Sequence, residues 1–235
     1  MNIHALLWEQ SNITTSELIS KINQLSDQEC LNAVSLSLYQ NKVTHIPKEI
    51  ARFKNLELLG VQGGLVSSAA KELGELKYLS NLYFASSLLG NPLKIIPIAV
   101  YELINLTDLT LSQCSLKYIS HSIGKLINLR RLNIDENKLK HLPTELIKLK
   151  KLTELTIGSN HLPKILMCKN YHHNAQKLLE KIYKYYTLRE NNIRKSIYQF
   201  LCIMKYKNIL SKDTRTIIAK LLWDSRQELA WSSFQ

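Results

Sequence analysis

The stretch LRRLNIDENKLKHLPTELIKLK, residues 129–150, spaces its apolar residues in a way that fits neither common secondary structure. A half-buried strand alternates apolar and polar residues, whereas an amphipathic helix repeats its apolar residues every three or four positions. Here a brief alternation at Leu132 and Ile134 gives way to Asn137, and leucines three or four residues apart follow. The spacing predicts a short strand that turns near Asn137 into a longer return path.

The same spacing recurs along the chain with a period of 23 residues. The pattern has leucine or another apolar residue at positions 1, 4, 6, 11, 14, 18 and 21, asparagine or cysteine at position 9, and often proline at position 15; Gly64 and Ser87 depart from it near position 9, and the last copy is truncated. Six copies begin at Ala33, Leu56, Leu79, Leu106, Leu129 and Leu152, and the third has an insertion near 85–90. Because one copy cannot bury its apolar edge alone, stacked copies are expected to share a core.

The motif LRRLNIDENKLKHLP resembles the leucine-rich repeat of the short, 23-residue class of bacterial and intracellular proteins. The resemblance covers about residues 33–166. It implies an α/β fold, a right-handed solenoid of about six coils with a parallel sheet on its concave face. The expected organisation is an N-terminal helical cap at 1–32, the solenoid at 33–168 and a C-terminal helical segment at 169–235.

Both ends of the repeats are predicted to be helical. Residues 12–30 read as one amphipathic helix with Leu18, Ile19, Ile22 and Leu25 on one face, its start capped by Thr15 or Ser16. The tail reads as three helices, at 174–188, 192–209 and 213–230, which form a cap, a second interaction module, or both. Within the tail, 209–223 faintly resembles the first helix of an F-box but lacks its leucine-proline start.

Charge and composition narrow the class of protein. The net charge of +12 is unevenly spread: −3 in residues 1–32, +6 in 33–160 and +9 in 161–235. There is no run of 18 apolar residues and no secretory pattern at the N-terminus, so neither a membrane span nor export by that route is expected. The four cysteines are far apart, which favours a reducing, cytoplasmic compartment.

Catalytic signatures are scarce. The sequence has no glycine-rich phosphate loop and none of the common protease, hydrolase or kinase motifs. Cys168 with His172 and His173 is the best candidate for a metal site or an activated thiolate. A linker with exposed histidines explains the same residues, and a fourth ligand is lacking nearby. We therefore predict a non-enzyme with no catalytic residue, metal or cofactor.

Positions 2, 3, 5, 7 and 8 of each copy are expected to project from the concave sheet. Their charges are five acids (Glu57, Asp108, Asp135, Glu136, Glu154) and two bases (Arg130, Arg131), a net of −3. This sign argues against nucleic acid on the concave face, because phosphate contacts need basic residues there. The predicted protein-binding residues are Tyr39, Gln62, Tyr83, Asp108, Gln113, Arg130, Arg131, Asn133, Asp135, Glu136 and Glu154.

Two functions follow as expectations. The first is a protein-binding module, monomeric when free, that docks one protein on the concave face with Tyr39 and Tyr83 as anchors and inhibits or regulates it. The chain is similar to leucine-rich-repeat effectors of intracellular bacterial pathogens, which implies a host protein or another bacterial effector as partner and translocation into a host cell. The alternative is an adaptor whose basic tail recruits a ubiquitin-ligase scaffold, a membrane surface or RNA.

Overall fold

The computed structural model of the 235-residue chain describes residues 5–8, 12–63, 65–85, 92–166 and 175–206. The chain divides into two compact units, residues 1–184 and 185–235. The first unit holds the repeats. The boundary predicted at residue 168 lies outside the described residues, as does all but Ala85 of the insertion predicted at 85–90 in the third repeat.

A parallel sheet of seven short strands runs the length of the repeats in the order β1-β2-β4-β6-β7-β8-β9. Six of these strands each begin two residues after one of the predicted repeat starts, which confirms the six-coil register. The seventh, β1, precedes them all and was not predicted, because three residues are too few to show a period. The strands are β1 (Ala5–Leu7), β2 (Ser35–Ser37), β4 (Leu58–Gly60), β6 (Asn81–Tyr83), β7 (Asp108–Thr110), β8 (Arg131–Asn133) and β9 (Glu154–Thr156).

The core lies between the sheet and a row of 3-10 helices on the return path. The leucines at position 4, from Leu36 to Leu155, are buried and stand opposite one another across the strand pairs. Leu6 of β1 extends this row by pairing with Leu36. The strands β3 (His45–Ile46) and β5 (Ser68–Ala69) form a second small sheet on the return path. The 3-10 helices are Lys48–Arg52, Lys71–Glu75, Ile98–Glu102, His121–Lys125, Thr144–Lys148 and Lys164–Leu166.

Proline explains where several return turns begin. Pro47, Pro97 and Pro143 each occupy the residue before a 3-10 helix. A proline ring fixes φ near the helical value and removes an N–H that would have no partner at a helix start. Where the proline is replaced by Ser120, the serine hydroxyl accepts a hydrogen bond from the Ser122 N–H instead.

The N-terminal cap differs from its prediction. The single helix expected over 12–30 is two helices, α1 (Thr15–Gln24) and α2 (Asp27–Asn32). Thr14, and not Thr15 or Ser16, caps the first, while Ser26 caps the second through a reciprocal pair of hydrogen bonds with Glu29. The Ser-x-x-Glu motif at Ser26 is a start signal that ends the preceding helix. Leu18 and Ile22 are buried as predicted.

The tail also differs from its prediction. The helices expected at 174–188 and 192–209 are one continuous helix, α3 (Ala175–Tyr206), so the break expected around 189–191 is wrong. No glycine or proline stands there to end a helix. The third predicted helix, 213–230, lies outside the described residues. Among the described helices, none is both long enough and apolar enough to cross a membrane.

In three of the coils, an asparagine at position 9 bonds to backbone groups of the neighbouring segment where the strand ends, as the sequence predicted. Asn137 Oδ1 accepts hydrogen bonds from the N–H groups of Cys114 (3.1 Å) and Leu116 (2.9 Å). Its Nδ2 donates to the carbonyls of Leu111, Ile134 and Asp135 at 2.8–3.0 Å. Asn41 and Asn160 occupy equivalent places. We call these three residues the post-strand row.

A second asparagine row lies just before the strands and was missed. The side-chain Nδ2 of Asn55, Asn105 and Asn128 donates to the carbonyl of Leu31, Lys77 and Ile104 respectively, in each case one coil back, at 2.7–2.9 Å. After the last coil, Gln176 of α3 continues this pre-strand row by donating to the carbonyls of Leu149 (3.1 Å) and Leu152 (2.9 Å). The start of α3 therefore serves as a cap.

Candidate functional site: the concave face of the sheet

Two rows of side chains project from the sheet on the side opposite the core, one at position 3 and one at position 5 of the repeats. The parallel register sets Asn81 opposite Asp108, Asp108 opposite Arg131 and Arg131 opposite Glu154. The next row sets Gly60 opposite Tyr83. With the flanking positions 2, 7 and 8, these rows make up the concave face. All of the predicted binding residues lie on it, on the strands or within three residues of them.

The first three repeats form the less charged half of the concave face, where apolar side chains are partly exposed. Tyr39, Leu58 and Tyr83 are each partly exposed. Gly60 stands between Ser37 and Tyr83 in the position-5 row, and a Cβ there would meet no atom closer than 4.0 Å. Its missing side chain leaves a notch in the row. The hydroxyl of Tyr83 accepts a 2.9 Å hydrogen bond from Asn81 Nδ2, which fixes the ring beside the notch.

The last three repeats carry most of the charge, arranged around one ion pair. Asp108 is largely buried, and its Oδ1 accepts a hydrogen bond from Arg131 Nε while its Oδ2 accepts one from the Thr107 hydroxyl at 2.7 Å. The hydrogen bond and charge of Asp108 raise the pKa of Arg131, and nearby Glu154 adds to the effect. Asp108 was predicted to meet a partner directly. Its carboxylate orients Arg131, which remains more than half exposed, while a role of Asp108 in binding a partner stays a prediction.

Further hydrogen bonds order the loops that follow the strands. Gln113 Nε2 donates to Glu136 Oε2 at 2.8 Å, and Asn133 Oδ1 accepts from the Asp135 N–H at 3.0 Å. A Cβ added at Gly158 would lie 2.7 Å from Asp135 Oδ1, so only glycine leaves room for that carboxylate. Gln113 thus orients the side chain of Glu136, and Asn133 orders the backbone at Asp135.

The charge available to a partner is negative. When the Asp108–Arg131 pair is set aside, four acids (Glu57, Asp135, Glu136, Glu154) remain against one base (Arg130), which is again a net of −3. Arg130 and Glu154 are both exposed. The face offers a partner a negative field interrupted by two arginines.

The cysteines that the structure describes fully do not suit thiolate chemistry. Cys30 and Cys114 are buried free thiols. Burial raises the pKa of Cys114 to about 12 and also raises that of Cys30, so both are protonated at neutral pH. Within the described ranges, no cluster of three or more histidine, cysteine or acidic residues could hold a metal. Cys168, His172 and His173 lie outside the described residues.

Sequence reasoning missed two features of this face. Gly60 and Leu58 form its apolar notch but were not selected as binding residues. A glycine inside a strand was the available signal, because it often marks a place where another chain approaches closely. The strand β1 was also missed, and it adds Ala5 to the edge of the position-3 row.

Comparison with known proteins agrees with this architecture. Residues 104–162 match the family model described as leucine-rich repeat. A solved leucine-rich-repeat protein of Leptospira interrogans is 29% identical, with a TM-score of 0.56 over 68% of this chain and 44% of that one. The leucine-rich repeat domain of the type III effector XopL is 22% identical, with a TM-score of 0.46 over 55% of this chain and 43% of that one. The curated proteins include no match.

The fold is therefore an α/β leucine-rich-repeat solenoid, and its similarity is to bacterial leucine-rich-repeat proteins. A solenoid of this class is a protein-interaction module. The chain spans less than half of the length of the solved proteins it resembles.

Proposed function

We propose that this chain is a non-enzymatic binding module that docks one protein on the concave face of its sheet. The observation that carries the proposal is the Asp108–Arg131 pair. A buried carboxylate on β7 holds an exposed arginine on β8, the second-last strand of a face whose net charge is negative. Side chains held in place before binding lose less entropy when a partner arrives.

The size of the face fits a protein partner. Seven strands spaced about 4.8 Å apart give a sheet about 29 Å wide. A standard interface covers about 800 Å² on each partner. The notch at Gly60, beside Tyr83, would accept an apolar side chain, since aromatic anchors and buried pockets concentrate binding energy. Arg130, Arg131 and the acids around them would select the partner by charge complementarity.

The partner we propose is a host protein or another effector of the same bacterium, bound in the cytoplasm of a bacterial or host cell. Similarity to bacterial leucine-rich-repeat proteins supports a bacterial source. A partner that presents its active cleft to the concave face would be inhibited, because a rigid solenoid would block substrate entry. Nucleic acid is disfavoured there, since the face carries a net of −3.

Affinity purification of the full chain tests the proposal. The informative variants are Tyr83→Ala in the apolar half and Arg130→Glu in the charged half. Each should reduce recovery of one and the same protein at least tenfold, whereas Lys148→Glu on the return path should leave recovery unchanged. Circular dichroism confirms that all variants fold. Equal recovery with all three variants would remove the concave face as the binding surface.

An adaptor is the second candidate, and one observation favours it. The part of α3 in the second unit exposes Leu188 and Ile193, about half of each side chain being accessible. With the +9 charge of residues 161–235, this would suit a second partner such as a ubiquitin-ligase scaffold, a membrane surface or RNA. Deleting residues 185–235 distinguishes the two functions. An adaptor would lose a second co-purifying component and keep the first, whereas a simple binding module would lose nothing.

A further inference from the structure

The loops that follow the strands of the last four coils form one edge of the solenoid, which we call the lysine rim. It consists of residues 92–95, 115–118, 138–141 and 161–164. These four segments contain five lysines (Lys94, Lys117, Lys138, Lys140 and Lys164) and no aspartate or glutamate. All five lysines are exposed.

Backbone hydrogen bonds hold neighbouring segments of the rim in register. The Lys117 N–H donates to the Lys94 carbonyl at 3.1 Å, and the Lys138 N–H donates to the Leu116 carbonyl at 2.8 Å. Lys94, Lys117 and Lys140 occupy the same repeat position in three successive coils. Coils joined in this way are about 4.8 Å apart, so the three lysines span about 10 Å.

The return side of the solenoid carries charges of both signs. Over the first five coils its five-residue 3-10 helices carry five lysines or arginines and five glutamates. Ion pairs join neighbouring coils on this side, as in Lys125–Glu102 at 2.9 Å and, from a lysine just after the first of these helices, Lys54–Glu75 at 3.3 Å. Among the residues that the structure describes, no ion pair involves a lysine of the rim. Like charges placed side by side destabilise a fold, so the rim lacks the internal compensation found opposite.

Apolar side chains accompany these lysines. Ile95 is 46% exposed and Tyr118 37% exposed, and each directly follows a rim lysine. Ile98 is 81% exposed and Ile165 is 52% exposed, and each lies in the 3-10 helix at the end of a rim segment, the second of which begins at Lys164. Lysine heads with isoleucine and tyrosine between them are the combination that binds anionic membrane surfaces, where basic groups meet headgroups and apolar groups enter the interface.

We propose that the lysine rim binds the surface of an anionic phospholipid bilayer. The rim is separate from the concave face, so the proposal does not depend on the proposed function. Nucleic acid fits less well, because the rim has no arginine and Tyr118 is its only phenylalanine, tyrosine or tryptophan. An acidic protein would match the lysines but gives no reason for the row of exposed isoleucines. Binding by the rim would place the concave face beside a membrane.

Vesicle co-sedimentation of the full chain tests this. Vesicles of phosphatidylcholine with about 30% phosphatidylserine should bind the chain, phosphatidylcholine alone should bind it weakly, and added salt should weaken binding. The triple variant Lys94→Glu, Lys117→Glu and Lys140→Glu should lower the affinity about 100-fold, since each lysine near such a surface contributes about fivefold. A second variant, Ile95→Ser, should reduce the part of the vesicle binding that remains at high salt.

The matched control is Lys48→Glu, Lys71→Glu and Lys148→Glu, which changes the net charge equally but on the return side. It should bind within about threefold of the wild type. Three outcomes would overturn the proposal: wild type that ignores phosphatidylserine vesicles, equal losses in both triple variants, or displacement of the vesicles by a short RNA that the rim binds more tightly. If the glutamate variant fails to fold, Lys→Gln at the same three positions carries the test.

Discussion

In both asparagine rows of the solenoid, the side chains form hydrogen bonds with backbone groups of a neighbouring segment. One row follows the strands and the other precedes them. In the post-strand row, Asn137 is almost fully buried and bonds to five backbone groups. In the pre-strand row, Asn55 and Asn105 are exposed and each donates to one carbonyl of the preceding coil. This difference indicates that burial determines how much a hydrogen bond contributes to the free energy of unfolding, because water can replace a lost partner only at the surface.

The largest effect is expected from Asn137→Ala. The substitution leaves two buried N–H groups and the carbonyls of Leu111, Ile134 and Asp135 without this partner. A buried polar group left unsatisfied costs about 1–3 kcal/mol. We expect the free energy of unfolding to fall by about 3–5 kcal/mol, measured by urea denaturation monitored by circular dichroism.

Asn105→Ala is the control for Asn137→Ala, since it removes the same side chain from the exposed row. If both variants lose the same free energy of unfolding, burial does not separate the two rows. A loss below about 1 kcal/mol in Asn137→Ala would also contradict this account.

Cys114→Ala extends the comparison to a coil in which cysteine stands at the repeat position that asparagine holds in the post-strand row. The Cys114 Sγ donates to the Phe84 carbonyl at 2.8 Å and, more weakly, to the Ser112 carbonyl at 3.4 Å, both acceptors in the backbone. The thiol makes fewer and weaker bonds than the amide of Asn137, and its removal leaves a small cavity. We expect a loss of about 1–2 kcal/mol in the free energy of unfolding at pH 7, again from urea denaturation.

The pH dependence of the same variant gives an independent reading. Burial raises the pKa of Cys114 from its ordinary 9.0 to about 12. The stability that the buried, protonated Cys114 thiol contributes is complete below pH 9. It is lost as the pH rises, because the thiol of the unfolded chain ionises first. Between pH 9 and 11 the wild type should lose about 1.4 kcal/mol per pH unit more than Cys114→Ala. Tyr101, whose pKa burial raises from 10.0 to about 12, adds the same slope to both proteins. If the free energies of unfolding of the wild type and Cys114→Ala fall in parallel as the pH rises, the burial of this thiol is contradicted.

The solenoid was predictable because its core depends on spacing alone. Position 4 of every coil must be apolar, and the leucines from Leu36 to Leu155 therefore fixed the register of six strands. The breaks in the helices were less predictable. Ser26 divides the cap because a local capping motif outweighs the apolar pattern, and α3 continues past residue 189 because its polar residues are compatible with a helix.

The candidate site was predictable in position but not in contacts. The register placed Asp108 and Arg131 on the same face, yet only the structure shows that one neutralises the other. The pre-strand row was missed for a similar reason. Asn128 looks like an ordinary solvated residue until the Ile104 carbonyl of the preceding coil is placed beside it. Contacts between coils depend on side-chain direction, which repeat spacing does not specify.

The variant Gln176→Ala tests whether α3 continues the pre-strand row. The Gln176 amide donates to the carbonyls of Leu149 and Leu152, and it lies 3.3 Å from that of Lys150. These carbonyls are partly shielded, so the loss should be about 1 kcal/mol, between the losses of the two asparagine rows. Hydrogen exchange should show faster exchange of backbone amides in the last coil first. Unchanged exchange there would mean that the helix caps the solenoid through Leu178, Leu179 and Ile182 alone.

A small effect is expected from Asn128→Ala, as from Asn105→Ala in the same row. Its Nδ2 donates to the Ile104 carbonyl at 2.9 Å and its Oδ1 accepts from Lys151 Nζ at 2.7 Å, but water reaches this edge of the coil. We expect a loss of about 0.5 kcal/mol in the free energy of unfolding. The double variant Asn105→Ala and Asn128→Ala tests the row as a whole, because independent surface bonds should give additive losses. A loss well above the sum would mean that the row acts cooperatively along the solenoid, and that the exposed asparagines matter more to the fold than their burial indicates.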